Sequence, residues 1–287
     1  VTPNSVDSST IHPISALGIS VYSSLRGGTI QVDAAGTYSA DISVDASSTN
    51  TIDAAGRAAT LSGVLSDETA LGSLVFSDSV GGGVVTLTGV NTYTGSTTIS
   101  SGATLALSGL GSIASSSGVV NNGSLDISAT TSGASIKALT GSGTVALGAQ
   151  SLTLTAASGT FSGAISGTGS LLINGGTQIL TGTSPFSGGV TVASGATLEI
   201  PSAGALGGGT LALVGGATTP AFLRVTGTTT IANAITVSGD PTFNIASGTT
   251  TTISGVIADG VSSGDVEVTG GGTLALTAAN TYTGPTR

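Results

Sequence analysis

Apolar residues alternate with polar ones in short runs along this chain, and many of these runs follow a glycine. Residues 123–127 (GSLDI) and 143–147 (GTVAL) show the commonest form. An alternation of period two is typical of a β-strand with one side facing a core and the other facing water. The glycines between the runs predict corners with left-handed backbone angles, as at 174–176 (NGG). The pattern therefore predicts many short strands joined by tight turns.

The strands recur at a regular interval. The first apolar positions of four successive runs lie 20 residues apart, at Val85, Leu105, Leu125 and Val145. A helical solenoid is disfavoured because glycine and threonine, which are poor in helix interiors, recur every few residues. We predict an all-β fold, a single-stranded parallel β-helix with about 20 residues per coil and roughly 14 coils, on the order of 65 Å long at the usual strand spacing.

A longer module occurs three times, at 61–107, 161–200 and 253–284. Each copy opens with an apolar residue followed by Ser-Gly, continues through glycine-led strands, and includes the sequence NTYTG or SPFSG. A unit of this size cannot bury a core alone and must stack on its neighbours. We therefore assign 61–287 to one β-helix, preceded at 1–60 by an N-terminal cap or arm and the first irregular coils.

The first 24 residues allow two roles. Residues 1–24 either fold back over the first coil as a cap, or reach into the open end at Arg287 of another copy as a donor strand. The cap is favoured because terminal repeats are usually atypical. A cap would keep the protein monomeric, whereas a donor arm would polymerise it.

Composition narrows the class of protein. The chain has 47 glycines, no cysteine and only 7% charged residues, but 39% hydrophobic residues. Regular alternation of that many apolar residues favours a folded core over disorder. Absence of cysteine fits an exported protein. No apolar run is long enough to span a bilayer, and no signal segment opens the chain at Val1, so an exported form would already be processed.

The charge balance disfavours a nucleic-acid partner. The formal net charge is −9, from 14 acidic and 5 basic residues. Phosphate binding needs clustered cations, but the basic side chains are scattered along the chain. They are Arg26, Arg57, Lys137, Arg224 and Arg287.

Candidate catalytic residues are few. His12 is the only histidine, and a catalytic triad would need it buried beside a nucleophile and an acid. Asp265 and Glu267, with Asp259 nearby, form the best carboxylate pair for glycoside cleavage. Alignment of the modules places both on the outer face, where solvated acids are the rule. We predict no catalytic residue.

Candidate ligand sites are also weak. Asp33, Asp41, Asp45 and Asp53 could collect on one side of the early coils and bind Ca²⁺, but the chain lacks the Gly-Gly-x-Gly-x-Asp calcium repeat. The threonine clusters at 228–230 and 249–252 are too few for an ice-binding face. We predict no metal and no cofactor.

One aromatic position recurs in the modules. Tyr93, Phe186 and Tyr282 occupy it. We interpret these residues as a structural stack rather than a carbohydrate platform, because aromatic residues are usually buried.

Residues 87–105 (LTGVNTYTGSTTISSGATL) resemble the passenger-associated β-strand repeat of bacterial autotransporters. The copy that begins at Leu180 is similar at an offset of 93 residues, and the third copy matches from Ile253 to Gly284. Two departures stand in the middle copy. They are Pro185 in the turn and Gln178 at a position that is apolar in the other copies.

The resemblance implies a passenger domain, a right-handed β-helix at the surface of a Gram-negative bacterium or secreted from it. It also implies an outer-membrane β-barrel translocator in the full-length protein. This chain ends inside a module, so we expect either a fragment of a longer passenger or an open end completed by another chain.

The function expected from these features is a non-enzymatic extracellular rod, structural or adhesive. Its expected partners are other copies of itself, joined end to end or side by side, or a ligand on a host, matrix or cell surface. The alternative is a β-helix enzyme that acts on polysaccharide through surface carboxylates.

Overall fold

A computed structural model of the chain describes residues 24–46, 49–69, 71–216 and 218–287, and the backbone of residues 5–7 and 11–14. These residues form strands and turns, with one 3-10 turn at Ala203–Leu206. No helix in them has the length and apolar character needed to cross a bilayer.

The strands are short because glycine turns interrupt the alternating runs. In chain order they are β1 (Ser5–Asp7), β2 (Ile11–Ile14), β3 (Ser24–Arg26), β4 (Thr29–Val32), β5 (Gly36–Tyr38), β6 (Ile42–Val44), β7 (Asn50–Asp53), β8 (Ala58–Leu61), β9 (Leu65–Asp67), β10 (Leu74–Ser77), β11 (Val84–Leu87), β12 (Thr97–Ile99), β13 (Thr104–Gly109), β14 (Val119–Asn121), β15 (Ser124–Thr130), β16 (Ala134–Ile136), β17 (Leu139–Thr140), β18 (Thr144–Ala146), β19 (Leu152–Leu154), β20 (Thr160–Phe161), β21 (Ala164–Ser166), β22 (Leu171–Ile173), β23 (Gly176–Leu180), β24 (Val190–Val192), β25 (Ala196–Ile200), β26 (Leu211–Val214), β27 (Phe222–Val225), β28 (Thr229–Ile231), β29 (Ile235–Gly239), β30 (Thr242–Ile245), β31 (Thr250–Ile253), β32 (Ile257–Gly264), β33 (Glu267–Gly270) and β34 (Thr273–Leu276).

The first of two compact units comprises Val1–Lys137 with Gly141–Ala146. Its parallel strands form three ladders, in the orders β1-β3-β6-β9, β2-β4-β7-β10-β12-β14 and β5-β8-β11-β13-β15-β18. The strands of the third ladder place the four apolar residues spaced 20 apart in one register. These are Val85, Leu105, Leu125 and Val145. All four are buried, so the stack predicted from the sequence interval is confirmed.

The second unit comprises Ala138–Thr140 with Leu147–Arg287. Three parallel ladders run through it, in the orders β19-β22-β24-β26-β29-β32, β20-β23-β25-β27-β30-β33 and β28-β31-β34. The inward residues of its second ladder include Gln178, which pairs with Leu198 in the next coil. Gln178 is fully buried, and its amide nitrogen donates to the carbonyl oxygens of Leu139 and Gly159 at 3.1 and 3.3 Å. The departure from the module pattern therefore keeps its inward position.

The coils vary in length around the predicted value. Paired residues in neighbouring coils lie 18 positions apart at Ile11 and Thr29, and 26 apart at Ala58 and Val84. The solenoid has about 11 turns of roughly 22 residues. The all-β parallel solenoid is confirmed, and the expected count of about 14 coils was too high because several coils carry longer loops.

Glycines at the module turns serve a different purpose from the predicted one. A Cβ on Gly95 would lie 2.5 Å from the carbonyl oxygen of Gly72, and one on Gly284 would lie 2.5 Å from that of Gly264. These positions need glycine because the backbone of the preceding coil passes too close for a side chain. The predicted left-handed corner does occur elsewhere, as at Gly176 with φ 75°.

The division of the chain at residue 60 stays a prediction. Residues 24–60 already supply β3 to β7 and most of β8 to the ladders of the first unit. Most of the predicted arm at 1–24 lies outside the described residues, which include only the backbone of β1 and β2 and residue 24 from it.

Candidate functional surfaces

The module turns begin with a residue whose side chain holds the preceding coil. Asn91 and Asn280 each accept a hydrogen bond through Oδ1 from a backbone N–H one coil earlier, at 2.9 and 2.8 Å. In the middle module Ser184 accepts the equivalent bond through Oγ at 3.1 Å. The serine thus replaces the asparagine as acceptor, and Pro185 beside it does not remove the contact.

An aspartate in the first module fastens the turn of the next coil. The carboxylate of Asp67 accepts from the backbone N–H of Gly72 at 2.8 Å, from that of Thr94 at 3.0 Å and from the Thr94 hydroxyl at 2.5 Å. Burial pushes the pKa of Asp67 upward, but these hydrogen bonds together outweigh it, so the pKa lies below its usual value. Asp67 is therefore an ionised structural acceptor.

Asp259 repeats this arrangement in the last module. It accepts from the backbone N–H groups of Gly264 and Thr283 at 3.0 and 3.1 Å, and from the Thr283 hydroxyl at 2.7 Å. The bond from that hydroxyl is the main cause of a lowered Asp259 pKa. The middle module has Gly167 at this position, and the backbone carbonyl of Gly167 accepts from the N–H of Ser187 at 3.0 Å instead.

Two further aspartates in the first unit also stabilise turns. Asp53 accepts from the Ser79 hydroxyl at 2.6 Å and from the Gln31 amide at 3.0 Å. Asp78 accepts from the backbone N–H groups of Gly56 and Gly83 at 2.7 and 2.6 Å. Burial opposes ionisation in both, yet the hydrogen bonds lower both pKa values. A general acid needs a raised pKa, so these carboxyls have the opposite tuning.

The four aspartates considered for calcium have separate surroundings. Asp41 accepts from the backbone N–H of Val64 at 2.7 Å, Asp53 has the partners given above, and Asp45 lies in the field of Arg26. Within the ranges that the structure describes, no group of three or more acidic, histidine or cysteine side chains could hold a metal ion.

The recurring aromatic position differs in burial between modules. Tyr93 and Phe186 are fully buried, which supports the structural interpretation. Burial raises the pKa of Tyr93, and its hydroxyl lies 2.6 Å from Thr97 Oγ1. Tyr282 has the same contact with Thr286 at 2.6 Å but is only half-buried.

The carboxylates proposed as the best catalytic pair do not both face solvent. Asp265 is only 8% exposed, so its predicted place on the outer, solvated face was wrong. Its Oδ2 lies 3.0 Å from Nη1 of Arg287, and the ion pair offsets the cost of burial. Glu267 is half-buried and accepts from the Thr242 hydroxyl at 3.2 Å. Each carboxylate thus has its own partner.

His12 belongs to the part of the chain in which only the backbone is described, within β2. Its predicted role as an ordinary surface residue therefore lies outside the described side chains.

The threonine clusters do form part of one ladder. Thr229 and Thr230 of β28 pair with Thr251 and Thr252 of β31. This ladder contains three strands, which is short for a repeated flat face.

An outer-face cavity in the second unit was not predicted from the sequence. It has a volume of about 470 Å³ and is lined by side chains from four strands, β23, β25, β27 and β30. They are Thr177, Thr197, Glu199, Phe222, Arg224 and Asn244. The alternation in β27 was a usable signal, because Leu223 and Val225 point inward and are buried, which leaves Phe222 and Arg224 outside.

The comparison with protein-family models supports the sequence resemblance. The passenger-associated-transport-repeat model matches residues 80–107, 173–200 and 266–287. The starts of these matches are 93 residues apart, as expected from the offset between the modules. A search of curated proteins and a search of solved structures each found no match. With three transport repeats carried on a parallel β-solenoid, this chain is a protein of the autotransporter-passenger type.

Proposed function

We propose that this chain is a non-enzymatic passenger domain, exposed on a Gram-negative cell or secreted from it, with a structural and adhesive function. The repeat family implies secretion and surface exposure. The adhesive function would be exercised through the outer faces of the coils, which are the surfaces that a stacked solenoid leaves available to ligands.

One observation carries the proposal. Asp53, Asp67, Asp78 and Asp259 all accept hydrogen bonds from turns of the solenoid, and all have lowered pKa values. Asp265 is paired with Arg287. The acidic groups that an enzyme would need for acid–base chemistry thus serve to hold coils and turns together.

A bead assay tests adhesion. Beads coated with the purified chain are expected to cluster with one another or to attach to immobilised matrix proteins and glycans, whereas albumin-coated beads do neither. Chain-coated beads that remain dispersed and unattached on all these surfaces would contradict the adhesive function.

A separate assay tests the non-enzymatic assignment. We expect no release of reducing ends when the purified chain is incubated with polysaccharides. Hydrolysis that disappears in Asp265→Asn or Glu267→Gln would overturn the assignment and establish the enzyme alternative.

Self-association is expected to use other copies of the chain. Electron microscopy across a concentration series distinguishes its forms. Filaments of fixed axial repeat indicate end-to-end joining, whereas irregular clusters indicate contacts between the sides of the solenoid.

A further inference from the structure

The outer-face cavity of the second unit brings together residue types that are rare in this chain. The sequence has five phenylalanines and five basic residues. Four phenylalanines are fully buried, and Phe222 is half-buried on the outer face. Arg224 stands two positions later on the same strand. Most of the outer faces carry small or hydroxylated side chains, so this patch is chemically distinct from them.

The strand register arranges the cavity in two rows. One row contains Thr177, Thr197 and Phe222, and the other contains Glu199, Arg224 and Asn244. Because neighbouring coils are about 4.8 Å apart, the four strands extend over roughly 14 Å. An aromatic face thus lies in one row beside a row of planar polar groups.

The polar row is held in place by neighbouring side chains. Arg224 Nη1 donates to Glu199 Oε2 at 3.0 Å, and the Asn244 amide nitrogen donates to Thr269 Oγ1 at 3.0 Å. The Arg224 side chain is nevertheless 53% exposed, compared with 17% for Glu199. The row therefore presents both donors and acceptors to solvent, in fixed orientations.

Electrostatics favours a neutral ligand. The two charges of the ion pair cancel within the cavity, and the chain as a whole carries a net charge of −9. A polyanion would be repelled by that field. A cross-strand ion pair by itself is an ordinary stabilising contact, but it does not explain an exposed phenylalanine ring beside it.

We propose that this cavity binds a neutral hexopyranose unit of a glycan. The ring of Phe222 packs against the apolar face of the sugar, and Glu199, Arg224 and Asn244 hydrogen-bond to its hydroxyl groups. Small-ligand sites commonly combine apolar contact area with a few convergent polar groups in this way. The inference rests on the proposed adhesive function and names the class of ligand that one outer face recognises.

The test is titration of the purified chain with cellohexaose, maltohexaose and mannohexaose, followed by saturation-transfer NMR. At least one of these neutral oligosaccharides is expected to bind with a dissociation constant at or below about 1 mM. Phe222→Ala is expected to weaken that binding about tenfold, the upper range of an aromatic contact. Phe222→Tyr is expected to retain it, because the ring remains. Circular dichroism checks that each variant keeps its β-structure.

The first unit offers a matched control. Arg26 and Glu68 form an ion pair with side chains 48% and 20% exposed, close to the exposures of Arg224 and Glu199. Glu199→Gln is expected to weaken binding, whereas Glu68→Gln is expected to leave it unchanged. Equal effects of the two substitutions would contradict the site.

Two other results would overturn the inference. One is the absence of binding by all three neutral oligosaccharides, and the other is tighter binding of hexagalacturonic acid than of any of them. Either result leaves the proposed function standing if coated beads still adhere or cluster. Loss of bead adhesion together with intact binding of the oligosaccharides would instead contradict the proposed function alone.

Discussion

The first and last modules contain the same hydrogen bonds in different surroundings. Tyr93 and Tyr282 each have a threonine four residues later within 2.6 Å of the hydroxyl. Yet Tyr93 is fully buried, whereas Tyr282 is half-buried. The inward Leu105 is likewise buried, and its counterpart Leu274 is half-exposed.

The difference separates two contributions to stability. The turn hydrogen bonds are specified within the module and its preceding coil, since Asp67 and Asp259 bind their threonines alike. Burial of the inward side chains depends on the coil that follows, as expected for a nearest-neighbour solenoid. Equivalent substitutions in the two modules should therefore have unequal effects.

The largest difference is expected for the inward leucines. Leu105→Ala should lower the free energy of unfolding by about 2 to 5 kcal/mol, because it leaves a cavity between packed coils. Leu274→Ala should lower it by less than about 1.5 kcal/mol, because part of that side chain is already in contact with water. Urea denaturation followed by circular dichroism measures both. Similar losses would show that burial is not what distinguishes the modules.

The close approach of the coils at the module turns predicts the next effect. Gly95→Ala should cost about 1 to 3 kcal/mol, because the added methyl group meets the backbone of Gly72. Gly284→Ala should cost less, since the last coil has room to shift. Hydrogen exchange in the two turns measures the local change. Gly208→Ala is the control, because open space surrounds that position.

Acidification should weaken the first unit more than the second. Lowered pKa values belong to Asp53, Asp67 and Asp78 in the first unit and to Asp259 in the second. A carboxyl with a lowered folded pKa stabilises the fold above its unfolded pKa of about 3.9. That contribution disappears as the pH falls through the folded pKa. Hydrogen exchange at pH 5 and pH 2.5, corrected for intrinsic rates, compares the units.

Asp67→Asn sharpens the acid experiment. It should cost roughly 1 kcal/mol at pH 7, the lower range for a hydrogen-bonded charge on a partly exposed group. The variant should then lose less stability than the parent chain between pH 5 and pH 2.5. An identical loss in both proteins would mean that Asp67 is not among the groups responsible.

The tyrosine hydroxyls are expected to give the smallest difference. Tyr93→Phe should cost about 1 kcal/mol because it removes a buried hydrogen bond from Thr97. Thr97 retains its bond to Ser116 Oγ at 2.9 Å, which limits the loss. Tyr282→Phe should change stability by less than about 0.5 kcal/mol, since water can replace the partner. Thermal melting of the two variants gives the comparison.

The sequence allowed the core of the fold to be predicted in detail. The interval of 20 residues between Val85, Leu105 and Leu125 corresponds to direct pairing of those residues in adjacent coils. This success has a physical cause, because the period-two alternation determines which side chains point inward. The repeated modules then fix which coils are equivalent.

The candidate surfaces were less accessible from the sequence. The burial of Asp265 depends on its contact with Arg287, 22 residues later, and alternation along one strand does not reveal such a contact. The outer-face cavity combines side chains from four coils of unequal length, so no single sequence interval brings them together. Its aromatic member could have been recognised from the alternation in β27, but its polar partners could not.

The spacing of paired strands also bears on folding kinetics. Partners about 22 residues apart in a chain of 287 correspond to a relative contact order of roughly 0.08, a value usual for helical bundles rather than β-proteins. Each coil closes only a short loop and needs only its neighbour as a template. The chain can therefore fold progressively as successive stretches of about 20 residues become available, without waiting for distant segments to meet.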